Sequence, residues 1–422
     1  MNKRPFILVV LLVALIIAPA SLTSCNLPGP TQPQVVRIGA IYPLSGSLAP
    51  TGQALKQAIE LAVEIVNQEY DLNLPLARSA GLSGLGGARL EVVFADHAGD
   101  PQKGATEAQR LIETEKVVAL LGAYNSSVTA TASQVAEAAG IPFLNAASTS
   151  PALTERGYKW FFRITADDRI FARNFFEFLQ EVDQRQGLGT RDVAIVYENS
   201  MFGTGVSQME KTFAQQFGFR VVADVPYAAD TKSVQEQVQT LLKTGRPIVM
   251  QASYLNDAIL YVRAYKEQGF KPTGLLAMDA GFVSPGFAEA VGKDGDYILS
   301  REVWALDLGQ KKPLVQQVDD LYFKRYGSHL DGSSARVFTG LLTLAEAINR
   351  AGSTDPQAIR QALLATDLAG AQLIMPWDGI RFDAATGQNT LARGIIVQMK
   401  DGVYRTVWPW DMATEPLVWP MP

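Results

Sequence analysis

The segment VVRIGAIYPLSGS, residues 35–47, is the stretch from which the fold can be deduced. Its first eight residues, Val35–Tyr42, are mostly β-branched or aliphatic and predict a buried strand. The polar turn Ser45-Gly46-Ser47 follows, and apolar residues at helical spacing over positions 55–66 then predict an amphipathic helix. A strand that leads through a polar turn into such a helix starts a βαβ unit, and βαβ units build parallel sheets.

The same unit repeats along the chain. Further strands are predicted at 90–95, 117–121, 141–144, 193–197, 221–225, 248–251 and 275–278, with helical patterns between them. The pattern restarts after Trp160-Phe161-Phe162-Arg163, so we predict an α/β fold with two doubly wound parallel-sheet blocks. The last third is rich in predicted helices, at 314–326, 337–351 and 356–366, and should pack onto the first two blocks. Residues 71–88 are Gly- and Leu-rich without a clear period and are interpreted as an insertion loop.

The first 34 residues have a different character. Lys3 and Arg4 precede an apolar run over residues 6–17, and small residues follow, which is the order of a secretory signal. The run is shorter than the ~20 residues that a bilayer-spanning helix needs. Leu22-Thr23-Ser24-Cys25 resembles the lipobox of bacterial lipoproteins, in which the cysteine becomes the new N-terminus and carries a lipid. We therefore predict a signal peptide over residues 1–24, lipidation of Cys25 and a proline-containing tether over residues 25–34.

The composition excludes several classes of function. Cys25 is the only cysteine, so its lipidation would leave no thiol for a disulfide, a metal site or a nucleophile. The net charge is −5 and acids and bases are interspersed, which gives no basic surface for nucleic acid. Only His97 and His329 could serve as histidine ligands or bases, and no second histidine lies near either. We expect no catalytic residues, no metal and no cofactor.

Polar or aromatic residues follow almost every predicted strand, and ligands of open parallel sheets bind outside the carboxyl ends of the strands. The candidate residues are Ser126, Ser127, Ala147, Ser148, Thr149, Phe202, Tyr254 and Asp279. Ser126 and Ser127 open a helix, where free amides and the helix dipole favour a carboxylate, although an N-cap serine without a ligand would look the same. Asp279 is either a solvated loop acid or the partner of a ligand ammonium. Phe202 and Tyr254 either pack at a rim or clamp the apolar part of a ligand.

The resemblance to a known family rests on motifs spread over residues 35–409. They are Ile38-Gly39-Ala40, Leu44-Ser45-Gly46, the turn at 122–127, Pro151-Ala152-Leu153-Thr154 with Gly157, Phe162-Arg163 with Asp167, and Phe202-Gly203. Together they resemble the type I solute-binding proteins of the leucine, isoleucine and valine receptor family. The resemblance implies two lobes joined by three crossovers, which close on a small ligand and deliver it to the permease and ATPase subunits of an ABC importer. Lobe I would comprise residues 35–165 and 300–387, and lobe II residues 166–299 and 388–422.

The resemblance also implies a role for each candidate residue. Ser126 and Thr149 would hold the ligand carboxylate together with nearby amides. The Ala147 carbonyl and Asp279 would take its ammonium, and Phe202 and Tyr254 would close over it from the second lobe. The ligand would be a branched-chain or other aliphatic amino acid, or a related small polar metabolite. The chain would be an extracytoplasmic receptor, held to the cell membrane by a lipid, and not an enzyme.

Two other functions stay open. Gly203-Thr204-Gly205 follows a predicted strand, as in a nucleotide-dependent enzyme, and Asp224 stands near the position of a ribose contact. Gln208, however, occupies the position where the dinucleotide fingerprint needs a third small residue. A pair of closing lobes could instead serve as the ligand-sensing component of a signalling partner.

Overall fold

The computed structural model describes Met1 and residues 35–422, so the predicted signal peptide and Cys25 lie outside the described residues. Five parallel strands form the first sheet, in the order β2-β1-β3-β4-β5. Its elements are β1 Val35–Tyr42, α1 Ala49–Asn67, β2 Arg89–Asp96, α2 Pro101–Glu113, β3 Leu120–Gly122, α3 Ser126–Ala139, β4 Phe143–Asn145 and β5 Phe161–Arg163. The last five residues of β1 are all buried, because helices cover both faces of the sheet.

The second sheet has seven strands in the order β14-β13-β10-β9-β8-β6-β7. Its first elements are α4 Asp168–Gln186, β6 Asp192–Glu198, α5 Met201–Gln216, β7 Arg220–Tyr227, α6 Gln235–Leu242, β8 Ile248–Ala252, α7 Leu255–Gln268, β9 Gly274–Ala277, α8 Phe287–Val291 and β10 Leu299–Glu302. These strands are parallel, so the predicted doubly wound α/β fold with two lobes is confirmed.

Part of the second sheet is antiparallel, which differs from the predicted all-parallel sheet. The chain ends with α9 Pro313–Tyr326, α10 Gly332–Ala351, α11 Pro356–Leu364, the short strands β11 Leu368–Ala369 and β12 Gly379–Ile380, and the hairpin β13 Ile395–Lys400 with β14 Val403–Trp408. The hairpin adds two antiparallel strands beside β10. Asp401 and Gly402, both with positive φ, form its two-residue turn, which is the turn chemistry that tight hairpins need.

Helix α10 packs on α1 and β4 of the first sheet, as the helix-rich last third predicts. Gly340 permits the close approach, because a Cβ at this position would lie 2.8 Å from the Cβ of Ala146. The helix starts at Gly332, five residues before the predicted start at 337. A capping box sets this start: Asp331 accepts from the Ser334 amide at 2.7 Å, and the Ser334 hydroxyl accepts from the Asp331 amide at 2.8 Å.

The predicted insertion loop at 71–88 is an irregular segment that packs against the first lobe. Leu72, Leu74 and Leu82 are buried in the main hydrophobic core. The Gly84 amide donates to the Asn349 side chain at 2.8 Å, near the end of α10. The segment is therefore part of the folded body of the protein.

The chain passes between the two sheets three times, and two of these connections run side by side. Gly387 accepts from the Arg163 amide at 2.8 Å, and the Arg163 carbonyl accepts from the Asn389 amide at 2.8 Å. The buried Arg163 side chain donates to Gln388 Oε1 at 2.6 Å and to the Ser150 carbonyl at 2.7 Å. The first and third connections are thus tied together by backbone and side-chain bonds. Within residues 35–422, no helix combines the length and the apolar character needed to cross a bilayer.

Candidate ligand-binding site

A cavity lies at the carboxyl ends of the strands of both sheets, beside the points where the strand order reverses, between β1 and β3 and between β6 and β8. It holds about 270 Å³ of space not filled by atoms, open solvent at its mouth included. Seven of the eight candidate residues line it: Ser126, Ala147, Ser148, Thr149, Phe202, Tyr254 and Asp279. Ser127 does not; it lines a neighbouring cavity together with Asn125. Residues that follow strands of both sheets thus build the cavity. The part that each residue plays in binding a ligand stays a prediction.

The start of α3 forms one end of the cavity. Asn125 precedes the helix with extended backbone, but its side chain makes no capping hydrogen bond. Its Oδ1 is buried and has no hydrogen-bond partner among the described residues. The first amides of α3 are therefore not satisfied by a cap, and the Ser126 side chain lines the cavity beside them. This end of the cavity can accept a carboxylate.

Ser148 serves a structural purpose next to this end. Its hydroxyl contacts the carbonyls of Ala123 and Tyr124 at 2.9 and 3.0 Å and the Thr129 hydroxyl at 2.6 Å. Asn145 Oδ1 accepts from the Ala147 and Ser148 amides at 2.8 and 2.9 Å, which forms a tight turn after β4. These bonds tie the turn after β4 to the turn after β3. Ser148 therefore positions the backbone of the cavity wall.

The aromatic wall is formed by Phe202, Tyr254 and Tyr124. The ring centroid of Tyr254 lies 5.5 Å from that of Phe202 and 6.0 Å from that of Tyr124. Phe202 stands in the first turn of α5, and Tyr254 immediately precedes α7. Tilted ring pairs of this kind offer a large apolar surface at little cost in side-chain entropy. The sequence did not indicate Tyr124 as part of this wall.

Buried carboxylates hold the two second-sheet aromatics in place. Glu198 accepts from the Gly203 amide at 2.8 Å and from the Ser200 amide at 2.6 Å, which fixes the start of α5 beside Phe202. Asp257 Oδ2 accepts from the Tyr254 amide at 3.1 Å and from the Tyr227 hydroxyl at 2.5 Å. Burial raises the pKa of Asp257 to about 7, although these hydrogen bonds act to lower it.

Three charged groups also line the cavity: Asp279, Arg301 and Arg336. Asp279 Oδ2 lies 2.8 Å from Arg301 Nη1 and 2.8 Å from Arg336 Nη2. All three side chains are at most 2% exposed. Arg301 also stacks on the Phe171 ring, 3.7 Å from its centroid. The backbone of Asp279 has φ +54°, a left-handed conformation that is uncommon for a residue with a side chain.

The balance of charge among these groups is positive. Burial acts to lower the pKa of Arg336, but the charge of Asp279 raises it above its ordinary value, so the guanidinium stays charged. Burial also raises the pKa of Glu302, which stands next to Arg301, well above its ordinary value and favours its neutral form. Among the lining residues, one carboxylate therefore faces two guanidinium groups.

Neither arginine is among the candidate residues that the sequence indicates. Arg301 lies in β10, across which the resemblance places a lobe boundary, and Arg336 precedes the predicted start of a helix by one residue. The sequence does contain a signal for Arg336, because it is a single basic residue within the otherwise apolar segment Ala335-Arg336-Val337-Phe338. A buried charge in such a segment requires a partner, and the partner here lies 57 residues away along the chain.

The residues that suggested a nucleotide site or a histidine site have structural roles within residues 35–422. A Cβ at Gly203 would lie 2.0 Å from the Glu198 carbonyl oxygen, so this glycine permits close packing of helix and strand. Asp224 pairs with Lys211 at 2.6 Å. His97 is buried and its Nδ1 accepts from the Gly99 amide at 2.9 Å. Within residues 35–422, no group of three or more His, Cys, Asp and Glu side chains is placed to hold a metal.

Comparison with known proteins gives a consistent result. The sequence profile of the family described as periplasmic binding protein matches residues 35–402. The chain is 30% identical to the Leu/Ile/Val-binding protein homolog 7 of Brucella abortus over 381 residues, which covers 89% of this chain and 91% of that protein.

Solved structures share the fold. The leucine-binding protein LivK of Thermotoga maritima superposes with a TM-score of 0.75 at 21% identity, covering 88% of this chain and 97% of that one. The branched-chain amino acid transporter substrate-binding protein LivJ of Streptococcus pneumoniae, in complex with isoleucine, gives a TM-score of 0.73 at 22% identity, covering 89% and 99%.

Proposed function

Because the chain belongs to the periplasmic binding protein family, we propose that it captures a small carboxylate between its two lobes for uptake by an ABC importer. The ligand class is a branched-chain or other aliphatic amino acid, or a related small polar metabolite. The observation that carries the proposal is the cavity at the strand ends, to which the first sheet contributes the uncapped start of α3 and the second sheet contributes Phe202 and Tyr254. The names of the Brucella relative and of the isoleucine-bound structure support this class.

We assign residues 35–165 and 303–387 to lobe I, and residues 166–302 and 388–422 to lobe II. The boundary expected at 299/300 falls inside β10, which pairs with β9 and β13, so we move it to the end of that strand. Two of the three connections between lobes are bonded through Arg163 and Gln388 and would act together as a hinge. A ligand stabilises the closed state over the open one only through contacts that form on closure, when it touches both lobes.

Lipidation of Cys25 and export by the segment before it are the proposed means of attachment outside the cytoplasmic membrane. Permease and ATPase subunits are the proposed partners.

The test is a binding screen of the chain from Asn26 to Pro422 against aliphatic and aromatic amino acids, their deaminated acids, amides and urea. Melting temperature gives the first readout, since a ligand at ~100 times its dissociation constant adds ~2.7 kcal/mol of stability. Calorimetry then gives the affinity of each ligand that shifts the melting temperature.

Two neighbouring serines provide a matched pair of variants. Ser126 lines the cavity and Ser127 does not, although both lie in the first turn of α3. Ser126→Ala should weaken a carboxylate ligand about 10-fold or more, because a hydrogen bond to a charged group contributes ~1.5–3 kcal/mol. Ser127→Ala should keep the wild-type affinity. Equal affinities for the two variants, or no response to any ligand class, would contradict the proposed function.

A further inference from the structure

Arg336 occupies the two acceptors that the resemblance to the solute-binding proteins assigns to a ligand ammonium. Its Nη2 donates to Asp279 Oδ2 at 2.8 Å, and its Nη1 lies 3.5 Å from the Ala147 carbonyl oxygen. By that resemblance, these two atoms would accept the hydrogen bonds of an α-ammonium group. In the described structure a cation of the protein itself fills that position.

The position of Arg336 is built into the fold. Its Nε donates to the Gly332 carbonyl at 3.3 Å, and its Nη2 donates to the Ser333 hydroxyl at 3.0 Å, so its own helix turn holds the side chain. The capping box of α10 and the tight packing at Gly340 fix that helix against the first sheet. A ligand ammonium would have to expel a buried guanidinium from its only strong counterion within the cavity.

Arg301 adds a second cation at the same place. Its guanidinium lies 2.8 Å from the same oxygen of Asp279, and it also has the more distant Asp168 at 3.9 Å. An ammonium placed here would share one carboxylate with two guanidinium groups. Like charges brought together in a buried site are strongly unfavourable, whereas an oxygen acceptor would find donors here.

We propose that the site selects small carboxylates without an α-ammonium group, and favours an acceptor such as a 2-oxo oxygen at the carbon that faces Arg336. The inference rests on the proposed function, because it assumes that the ligand carboxylate binds at the start of α3. It narrows the ligand class from amino acids and their relatives to carboxylic and 2-oxo acids.

The test uses matched ligands that differ only at the α-carbon: leucine, 4-methyl-2-oxopentanoate and 4-methylpentanoate. The same comparison is made with the alanine and phenylalanine series, so that side-chain size does not decide the outcome. We expect the 2-oxo or unsubstituted acid of at least one series to bind the wild-type chain about 30-fold or more tightly than its amino acid. An amino acid that binds as tightly as its deaminated relatives, or more tightly, overturns this inference and leaves the proposed function standing. Absence of binding in all three series also overturns this inference, and the wider binding screen then decides the proposed function.

Variants at Arg336 test whether its guanidinium group causes the preference for acids without an α-ammonium group. Arg336→Met removes one of the two guanidinium groups that pair with Asp279 and frees the Ala147 carbonyl, and should shift the preference toward the amino acid by about 10-fold or more. Arg336→Lys keeps a cation and should keep the wild-type preference. Arg350→Met is the control on the same helix, since Arg350 pairs with Glu346 and does not line the cavity. An unchanged preference in a folded Arg336→Met variant overturns the inference, and if that variant does not fold, the wild-type comparison decides.

Discussion

Replacing Asp279 by Asn removes the carboxylate that pairs with both buried guanidinium groups, at almost constant volume. In the wild type, the backbone amide of Ala280 donates to Asp279 Oδ1 at 2.5 Å. The side-chain oxygen of Asn can accept the same bond, so the turn is preserved and the loss of charge is the main change. Arg301 and Arg336 would then face each other without their shared counterion. Removal of one partner from a buried ion pair costs ~3–5 kcal/mol.

This cost can be converted into a melting temperature. An unfolding entropy of about 2.1 cal/mol/K per residue, over roughly 390 residues, gives ~0.8 kcal/mol/K, so the expected decrease is about 4–6 °C. The assay is calorimetric or circular-dichroism melting at pH 7 without ligand. Asp192→Asn is the matched control, because the Asp192–Arg220 pair is exposed and should leave the melting temperature within about 1 °C. If the two variants melt within a degree of each other, Asp279 does not act as the counterion of the two arginines.

Two further predictions concern pH and attachment. Burial raises the pKa of Asp257 to about 7, above its unfolded value near ~3.9, so its contribution to stability is full below pH ~4 and is lost as the pH rises to about 7. Between pH 4.5 and 7.5 the melting temperature of the wild type should therefore fall relative to that of Asp257→Asn, which does not titrate at this position. A difference that stays constant over this range would contradict the raised pKa. Cys25→Ser should move the full chain from the membrane fraction to the soluble fraction and abolish labelling by a fatty acid, whereas unchanged labelling would exclude Cys25 as the lipid site.

The regular elements could be predicted because their signals are local. The strand β1 and the helices α1 to α3 follow from side-chain periodicity, which depends only on neighbours within one or two turns. The site could be located for a related reason. Parallel strands end at one edge of a sheet, so polar residues that directly follow strands converge, and seven of the eight candidate residues line one cavity.

Short or edge elements could not be predicted with the same accuracy. Strand β3 is Leu120–Gly122, where the sequence predicted 117–121, because its pairing with β1 sets its bounds. The hairpin of β13 and β14 was missed, although Asp401-Gly402 is a recognisable turn, since its attachment to β10 is a contact between distant parts of the chain. For such segments the tertiary partner, not the local pattern, decides the structure.

The charged residues of the cavity show most clearly what the local sequence determines and what tertiary contacts decide. The sequence by itself determined that an acid, Asp279, follows a buried strand, because strand and loop can be assigned from local pattern. Only the tertiary structure decided which cations it meets, because Arg336 lies on a helix that packs against the other sheet. Electrostatic energy depends on distance in space, and folding brings together charges that the sequence keeps 57 residues apart.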